Sequence, residues 1–424
     1  MATYDPLEHS MQDFRVLPGV GLLERTQPFY DWQQARREAG YWTLGRSLSG
    51  GPLHRCAGHN DAGVAFKGVN FASQDYLGLS THPDVKAAAI EAAQRFGVHS
   101  AGSPALVGNS ELSLALEQQL AAFVQMPYVT LYPTGWAAGF GVNKALVRPT
   151  DHVVMDQLAH ACLQEGARAA TGNVHLFTHN DLTSLHQQLR ELRRRNPEVG
   201  ILVVTESLFS MDSDTPDLAA TQGIAHEFQA TLLVDAAHDL GCLGADGLGH
   251  SGALGMVGKV DVLMGSFSKT FASNGGFVAC QARSVKEYLR YYSSPHTFSN
   301  ALSPIQAAVV GRCLKIVQSA EGRALRGKLM DNILDLRSKL HAAGRQTYGD
   351  PSPIVCVKIG NERTARKVSK ALPRLGVIAN VVEFPAVARN EARVRLQVMA
   401  SHQPADIKTL VWQLVKAYEL AHQV

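Results

Sequence analysis

Short apolar runs alternate with helical patterns through the middle of the chain, and this alternation limits the possible folds more than any other feature. The runs are rich in Val, Ile and Leu on both faces, which is typical of parallel strands that helices cover on both sides. Helical patterns at 135–146, 182–195 and 218–229 fit between them. The sequence therefore predicts an α/β domain with three layers. The seven predicted strands are Tyr128–Tyr132, His152–Met155, Asn173–Phe177, Ile201–Thr205, Thr231–Val234, Asp261–Gly265 and Phe277–Cys280.

The two ends of the chain differ from its middle. Long helical patterns at 304–318 and 322–343 precede a mixture of strands and helices that ends with a helix at 404–422. This order predicts a smaller α+β domain. We therefore predict three parts, since 424 residues exceed one ordinary core. They are an N-terminal arm at 1–80 that packs on the small domain or a partner subunit, a large domain at 81–305, and a small C-terminal domain at 306–424.

The composition is that of an ordinary globular protein. Hydrophobic residues make up 46% of the chain and charged residues 18%, and the net charge is only +3. So small a charge gives no reason to expect a nucleic acid or an anionic membrane surface as a partner. No stretch has the length and apolar character of a membrane helix, and residues 1–14 do not have the pattern of a secretory signal.

The six cysteines are scattered along the chain without a CxxC pair. This distribution predicts reduced thiols and a cytoplasmic protein. The short cluster of His54, Cys56 and His59 imitates half of a metal site, but no second pair of ligands accompanies it. We therefore predict no metal site.

A lysine follows the sixth predicted strand. Lys269 comes after Ser266 and Ser268, and the small, flexible run 272–276 follows it. A lysine at a strand end is often an ordinary solvated residue. These surroundings also suit a lysine that holds an aldehyde cofactor as a Schiff base, with hydroxyls and backbone amides left to bind a phosphate.

An aspartate and a histidine lie at the end of the preceding strand. Asp235 is placed where the carboxyl ends of strands line the ligand crevice of an open α/β sheet. It can pair with a protonated pyridine nitrogen and keep the ring cationic, while His238 can donate to a phenolic oxygen. The alternative is an aspartate that caps the next turn beside a packed histidine. The nearby Lys269 favours the cofactor interpretation.

Two other strand ends carry candidate cofactor ligands. Thr134 can cap the helix at 135–146, so that the amides of Gly135 and Trp136 can bind a phosphate at the positive helix end. His160 also follows a strand and can stack on an aromatic cofactor ring. Each feature also has a structural interpretation, as an ordinary capped helix and a packed histidine.

Taken in order, these segments resemble the α-oxoamine synthase family of fold-type I pyridoxal-phosphate enzymes. The resemblance runs from about Asn70 to Asp406 and so covers most of the chain. The matching segments are Phe71–Leu79 (family "SNDYLGL"), Thr134–Trp136 ("TGY"), Asp156–His160 ("DxxxH"), Asp235–His238 ("DEAH"), Ser266–Lys269 ("TFSK"), Phe298–Asn300 ("FSN") and Ala392–His402 ("RLR…AxH").

The resemblance implies a large domain with a mostly parallel seven-stranded sheet between helices, a smaller α+β domain, and pyridoxal 5'-phosphate as cofactor. Lys269 would form the Schiff base and move the Cα proton, Asp235 and His238 would contact the ring nitrogen and phenolic oxygen, and His160 would stack on the ring. The other implied cofactor residues are Thr134, Gly135, Trp136, Glu206, Ser266 and Ser268, with Ser299 and Asn300 from the second subunit of a homodimer. Arg395, Gln74 and Asp75 are the implied substrate-binding residues.

By the same resemblance, the expected reaction joins an amino acid to an acyl-CoA or acyl-carrier-protein thioester, with decarboxylation, to give an α-amino ketone and a free thiol. Two alternatives stay open: another fold-type I enzyme, such as an aminotransferase or lyase, and a non-catalytic partner subunit. The chain departs from the family pattern at Ala236, where glutamate is usual, and at Pro104, where arginine is frequent. These departures affect the expected substrates rather than the cofactor.

Overall fold

The computed structural model describes residues 4–423, and these form two compact units. The first unit joins residues 4–74, Met211–Ser213 and residues 329–423, and the second joins Asp75–Ser210 and Asp214–Lys328.

The chain contains strands and helices in the following order. The strands are β1 Ser47–Leu48, β2 Arg55–His59, β3 Ala65–Asn70, β4 Tyr128–Tyr132, β5 His152–Asp156, β6 Val174–Phe177, β7 Ile201–Glu206, β8 Thr231–Asp235, β9 Val262–Ser266, β10 Gly276–Cys280, β11 Ile354–Gly360, β12 Val377–Ile378, β13 Asn380–Val382 and β14 Ala392–Gln397. The helices are α1 Gln27–Glu38, α2 Pro83–Phe96, α3 Glu111–Val124, α4 Gly135–Leu146, α5 Ala161–Ala170, α6 Leu182–Arg195, α7 Leu218–Glu227, α8 Gly249–Ala253, α9 Arg283–Tyr292, α10 Ser294–Thr297, α11 Pro304–Val317, α12 Ala320–Ala342, α13 Glu362–Arg374 and α14 Pro404–His422. Short 3₁₀ helices lie at Met11–Phe14, Glu24–Thr26 and Leu79–Thr81.

The second unit is built on a seven-stranded sheet with the order β4-β10-β9-β8-β7-β5-β6. The strands from β6 across to β9 pair in parallel, and β10 runs antiparallel to both of its neighbours. Every residue of β5, β7 and β9 is buried, which explains their apolar runs without alternation. The predicted mostly parallel sheet of seven strands between helices is therefore confirmed.

Helices α4 and α5 pack against each other, and α4 also packs on β9 and β10. Small residues make this packing close. A Cβ atom at Gly166 would lie 2.7 Å from the carbonyl oxygen of Phe140, and one at Gly139 would lie 2.4 Å from Sγ of Cys162. Side chains larger than hydrogen at these two positions would separate the helices, because close-packed interiors leave no room for an added carbon.

Helix α11 belongs to the second unit, although the sequence placed residues 306–328 in the C-terminal domain. The reason is packing, since α11 lies against α2 and α3. The boundary between the units in this part of the chain therefore falls at Leu329 rather than near residue 306.

The first unit combines N-terminal and C-terminal residues. Its two sheets have the strand orders β1-β2-β3-β12 and β11-β14-β13, and β14 is antiparallel to both of its neighbours. Arg366 of α13 donates hydrogen bonds to the carbonyl oxygens of Leu7 and His9 and to the carboxylate of Glu383. These bonds tie the N-terminal residues to α13 within this unit.

Three further observations concern the whole described range, residues 4–423. No helix in it is both long enough and apolar enough to span a membrane. No group of three or more His, Cys, Asp or Glu side chains in it is arranged to hold a metal ion. All six cysteines are free thiols, and five of them are buried.

Candidate active site

The carboxyl ends of neighbouring parallel strands bring polar residues to one edge of the second unit's sheet. Asp156 ends β5, Glu206 ends β7, Asp235 ends β8 and Ser266 ends β9. Glu206 and Asp235 are paired in register on adjacent strands. The sequence predicted this concentration, because the ends of parallel strands form the ligand crevice in open α/β sheets.

A cavity of about 240 Å³ opens at this edge of the sheet. Ten predicted site residues line it: Thr134, Gly135, Trp136, His160, Glu206, Asp235, His238, Ser266, Ser268 and Lys269. Cys162, Ala237, Met264, Asn274 and Gly275 complete the lining. Segments spread along the chain from Thr134 to Gly275 therefore meet in one place within a single unit.

Hydrogen-bond donors converge at the start of α4. Thr134 caps this helix, and its Oγ1 accepts from the amide of Ala137 at 3.0 Å. The amides of Gly135 and Trp136 belong to the first turn, where helix amides have no carbonyl partner within the helix. At the end of β9, Oγ of Ser266 lies 2.8 Å from Oγ of Ser268. Amides and hydroxyls at a helix N-terminus suit a phosphate group.

Gly135 is required for this arrangement. A Cβ atom at that position would lie 2.3 Å from Oγ of Ser266. Glycine therefore lets the helix start approach the serine hydroxyl at the wall of the cavity. A larger residue would push the two donor groups apart.

The carboxyl groups of Glu206 and Asp235 are buried next to each other. Only 3% of the surface of Glu206 and 5% of the surface of Asp235 is exposed. Burial raises the pKa of both groups. The neighbouring Asp235 raises the pKa of Glu206 further, and for Asp235 the nearby His160 and Lys269 act in the opposite direction. His160 and Lys269 therefore favour the charged form of Asp235. A cationic ring nitrogen beside the carboxylate would stabilise that charged form further.

Tyr76 positions His238. Its hydroxyl lies 2.9 Å from Nδ1 of the buried His238. Tyr76 lies in the segment Phe71–Leu79 that resembles the family, but the sequence did not indicate it as a site residue. The signal was present in the motif, but nothing in the spacing of residues that lie 162 positions apart indicates the contact.

His160 begins helix α5 as its N-cap residue. Its Nδ1 accepts from the amide of Cys162 at 3.3 Å and lies 3.0 Å from Sγ of the same residue. Its backbone amide donates to the carboxyl group of Glu206. Sequence reasoning missed Cys162, because a buried cysteine in the first turn of a helix is normally only a packing residue.

A second unpredicted cluster supports the segment that leads to His160. Nδ1 of His179 lies 2.9 Å from Oδ1 of Asp156, and its Nε2 lies 2.8 Å from Oδ2 of Asp214. Burial lowers the pKa of His179, but the two carboxylates outweigh it and raise that pKa to about 10. At neutral pH the imidazole is therefore cationic. It joins the end of β5 to the loop that follows β7.

We predict that His179→Gln lowers the free energy of unfolding by about 2 kcal/mol at pH 7, because charged hydrogen bonds to two carboxylates are lost. The pKa of His179 is raised on folding, so its contribution is complete below about pH 6.5 and disappears as the pH rises through about 10. The difference between the wild type and the variant, measured by chemical denaturation, should therefore shrink from pH 7 to pH 10.5.

His186→Gln is the matched control for this prediction. Nε2 of His186 lies 3.3 Å from Oε1 of Glu227 on an exposed helix face. Exposed pairs of this kind contribute little, so the control should change stability by less than about 0.5 kcal/mol. A His179→Gln effect that stays constant between pH 7 and pH 10.5 would contradict a cationic His179.

Two predicted residues, Ser299 and Asn300, do not line this cavity in their own chain. The hydroxyl of Ser299 donates to the carbonyl oxygen of Pro295. Nδ2 of Asn300 lies 3.3 Å from Nε2 of His99. Their predicted role was to reach a second subunit, and that role stays a prediction.

The three predicted substrate residues also lie outside the lining of this cavity. The carboxylate of Asp75 accepts from the amides of Leu79 and Ser80 and from the hydroxyl of Ser80, so it stabilises a local turn. Gln74 is the last residue of the first unit before that turn. Arg395 lies on β14 of the first unit and is 8% exposed.

A mostly parallel sheet with a lysine, an aspartate and a histidine at adjacent strand ends defines a class of protein, the fold-type I pyridoxal-phosphate enzymes. The profile of the aminotransferase class I and II family matches residues 67–414. The chain is 34% identical over 351 residues to the 8-amino-7-oxononanoate synthase of Thermoanaerobacter pseudethanolicus, and the alignment covers 83% of this chain and 87% of the relative. The chain belongs to the α-oxoamine synthase family, within the class I and II aminotransferases.

Other similar proteins agree with this assignment. A serine palmitoyltransferase from S. paucimobilis, solved with a bound PLP–myriocin aldimine, has a TM-score of 0.87 and 25% identity, covering 96% of this chain and 100% of that chain. Two relatives from Mycobacterium tuberculosis are 36% identical over 341 residues, which is 80% of this chain. The aligned part is 43% of each of those relatives, so the chain spans less than half of their length.

Pyridoxal 5'-phosphate is the cofactor of this family, and the residues of the cavity fit it. The hydroxyls of Ser266 and Ser268 and the first amides of α4 match a phosphate. The carboxyl group of Asp235 matches a pyridine nitrogen, and the amine of Lys269 matches an aldehyde. The close approach of Gly135 to Ser266 keeps the phosphate donors together.

Proposed function

We propose that this chain condenses an amino acid with an acyl-CoA or acyl-carrier-protein thioester and releases a free thiol and, after loss of a carboxylate, an α-amino ketone. The observation that carries this proposal is the meeting of Lys269, Asp235, His238 and His160 around one cavity. The names of similar proteins, an 8-amino-7-oxononanoate synthase and a serine palmitoyltransferase, support it.

Different residues of the cavity have different roles in this reaction. When bound, pyridoxal phosphate supplies a cationic ring that withdraws electrons from Cα of the amino acid. Asp235 keeps a proton on the ring nitrogen, because a carboxylate stabilises the cationic partner. Nζ of Lys269 is the attachment point for the cofactor and the base that moves the Cα proton.

Other side chains orient the reacting groups. His238, which contacts the hydroxyl of Tyr76, would donate to the phenolic oxygen of the cofactor. His160 would stack on the ring, and the carboxyl group of Glu206 accepts from its backbone amide at the cavity wall. Fixed groups of this kind assist a reaction because they need no reorganisation during it.

An assay of free thiol tests the proposed reaction. The purified chain is incubated with single amino acids and acyl-CoA thioesters, and thiol and amino ketone are measured together. Release of one thiol with each amino ketone is the expected result. The protein is used in catalytic amounts, since its own six free cysteines would otherwise contribute to the signal. Exchange between the amino acid and a keto acid without thiol release would reject the condensation and favour an aminotransferase.

We also propose that Arg395 pairs with the carboxylate of the amino-acid substrate. It occupies the middle of β14, with β11 on one side and β13 on the other, so its backbone position is fixed. The planar guanidinium group suits a carboxylate, with which it forms two parallel hydrogen bonds.

For Arg395→Ala we expect the KM for the amino acid to rise about 10-fold or more, because a charge-assisted pair of hydrogen bonds is lost. Arg395→Lys should recover part of the affinity, since it keeps the charge but not the planar fork. Arg389→Ala is the control, because Arg389 is exposed in a loop. An amino-acid KM that is unchanged in Arg395→Ala would show that another residue holds the carboxylate.

We propose that the partner of this chain is a second copy of itself, and an apolar surface of the second unit supports this. Hydrogen bonds bring two segments side by side. The hydroxyl of Ser100 donates to the carbonyl oxygen of Ala301 at 2.9 Å, and that of Ser103 to the carbonyl oxygen of Thr297 at 2.6 Å.

These two segments carry four large apolar side chains that are largely exposed, and we call this surface the apolar patch. It consists of Val98, Leu106, Val107 and Phe298, with exposed fractions of 73%, 85%, 83% and 85%. Large apolar side chains exposed together on neighbouring segments are typical of an interface. Phe298 precedes Ser299 and Asn300 directly, so burial of the patch in a dimer would bring these two predicted residues to the partner.

Phe298→Glu should weaken the dimer, because a charge would be buried in an apolar interface. Sedimentation velocity across a range of concentrations measures the effect. The protein concentration at which half of the dimer dissociates should be at least about 10-fold higher for the variant than for the wild type. Val64→Glu, which changes an exposed side chain of the first unit, is the control. A wild-type chain that sediments as a monomer at all concentrations would refute the proposed homodimer.

A further inference from the structure

Cys162 makes a contact in the candidate active site that the cofactor assignments do not use. Its Sγ lies 3.0 Å from Nδ1 of His160, and its amide donates to the same nitrogen at 3.3 Å. Both residues line the cavity that contains Lys269. The contact therefore concerns the imidazole that would stack on the cofactor.

The amide decides which nitrogen of His160 carries the hydrogen. A backbone amide can only donate, so Nδ1 has to offer a lone pair. In the neutral imidazole the hydrogen is then on Nε2, because one ring nitrogen donates and the other accepts. The thiol of Cys162 can donate to the same lone pair, as a weaker second donor.

The thiol is well placed to remain a donor. Burial raises its pKa, and the nearby Asp235 and Glu206 raise it further, while Lys269 acts in the opposite direction. The group is therefore a neutral thiol at physiological pH, with a hydrogen to donate.

The position of the sulfur is fixed by the packing of α5 on α4. Cys162 is 2% exposed, and a Cβ atom at Gly139 would lie only 2.4 Å from its Sγ. Helix α4 thus packs closely against the sulfur, and Nδ1 of His160 contacts the same atom. Because packing fixes the side chain of Cys162, its contact can fix the orientation of the His160 imidazole.

We propose that Cys162 is a positioning residue that holds His160 as the tautomer with its hydrogen on Nε2. His160 consequently presents a hydrogen-bond donor at Nε2 and is not a base at that atom. The tautomer is a property of this chain alone, and only the kinetic consequence below rests on the proposed function.

Nitrogen NMR of the purified holoenzyme, labelled with ¹⁵N-histidine, tests the tautomer. The signals of His160 are identified by their loss in His160→Gln. We expect the shift of an unprotonated nitrogen for Nδ1 and of a protonated nitrogen for Nε2. Cys162→Ala keeps the amide donor and loses the thiol, so the hydrogen should stay on Nε2 while the shift of Nδ1 changes. Cys162→Ser should keep the Nδ1 shift closer to that of the wild type, because its hydroxyl is also a donor.

The kinetic consequence is measured on the same variants as the exchange of the amino-acid Cα hydrogen with solvent. Cys162→Ala should lower kcat for exchange about 5-fold with little change in KM, since one weak hydrogen bond is lost. Cofactor absorbance and thermal unfolding establish that each variant is folded and loaded. A wild-type His160 with its hydrogen on Nδ1 would overturn the proposal, as would a Cys162→Ala variant whose His160 shifts equal those of the wild type. Both outcomes are independent of the amino acid and the thioester, so they are distinguishable from a failure of the proposed reaction.

Discussion

Lys269→Ala is expected to lower kcat/KM by at least about 10³-fold, because one substitution removes both the covalent attachment of the cofactor and the base that moves the Cα proton. The absorbance band of the lysine-bound cofactor should disappear from the purified protein. Steady-state assays of thiol release and an absorption spectrum measure the two effects separately. A small exogenous amine should restore part of the activity, since it replaces the missing amino group.

The control for this variant is Lys259→Ala, which removes an exposed lysine of the same unit. Its spectrum and its activity should match those of the wild type. If Lys269→Ala kept the absorbance band and the wild-type rate, another lysine would have to hold the cofactor. A wild-type protein that stays colourless with added pyridoxal phosphate would instead favour the non-catalytic partner subunit.

Asp235→Asn is expected to lower the rate of Cα hydrogen exchange on the order of 10²-fold while the cofactor stays bound. The amide has nearly the shape of the carboxylate but no charge, so it no longer favours a proton on the ring nitrogen. Proton NMR of the amino acid in D₂O follows the exchange, and the absorbance band of the protein reports the bound cofactor.

Asp261→Asn is the matched control, because Asp261 contacts His226 at the exposed start of the neighbouring strand. It should exchange the Cα hydrogen at the wild-type rate. An undiminished rate in Asp235→Asn would reject the assigned role of Asp235 and would leave the buried Glu206 as the carboxyl group to be tested next.

The central sheet was predictable because its strands are buried on both faces. Strands β5, β7 and β9 are continuous apolar runs in the sequence, and each was predicted within one residue of its observed bounds. Several helices were not predicted, among them α2, α3, α5 and α9. Helices α2 and α5 are rich in Ala, whose small side chain marks a buried face less clearly than Leu, Ile or Val does.

The candidate site was predictable in its residue types. Lys269, Asp235 and His238 each follow an apolar run, and the ends of parallel strands meet at one edge of a sheet whatever their order. The order of the strands in the sheet was not predictable. In the sheet β7 lies between β5 and β8, and β10 lies between β4 and β9, which the chain order does not indicate.

The sequence by itself determined the class of fold, the cofactor and the polar residues at the strand ends. Burial on both faces and polar strand ends leave local patterns in the chain that indicate the fold and the site residues, and the resemblance of the ordered motifs to the α-oxoamine synthase family implied the cofactor. Only the tertiary structure decided which side chains support them: Tyr76 on His238, His179 between Asp156 and Asp214, and Cys162 on His160. The first two of these contacts join segments that are far apart in the chain, so the order of the strands and the course of the loops determine them. The third joins residues two positions apart at the start of α5, where the packing of α5 on α4 holds the sulfur in place.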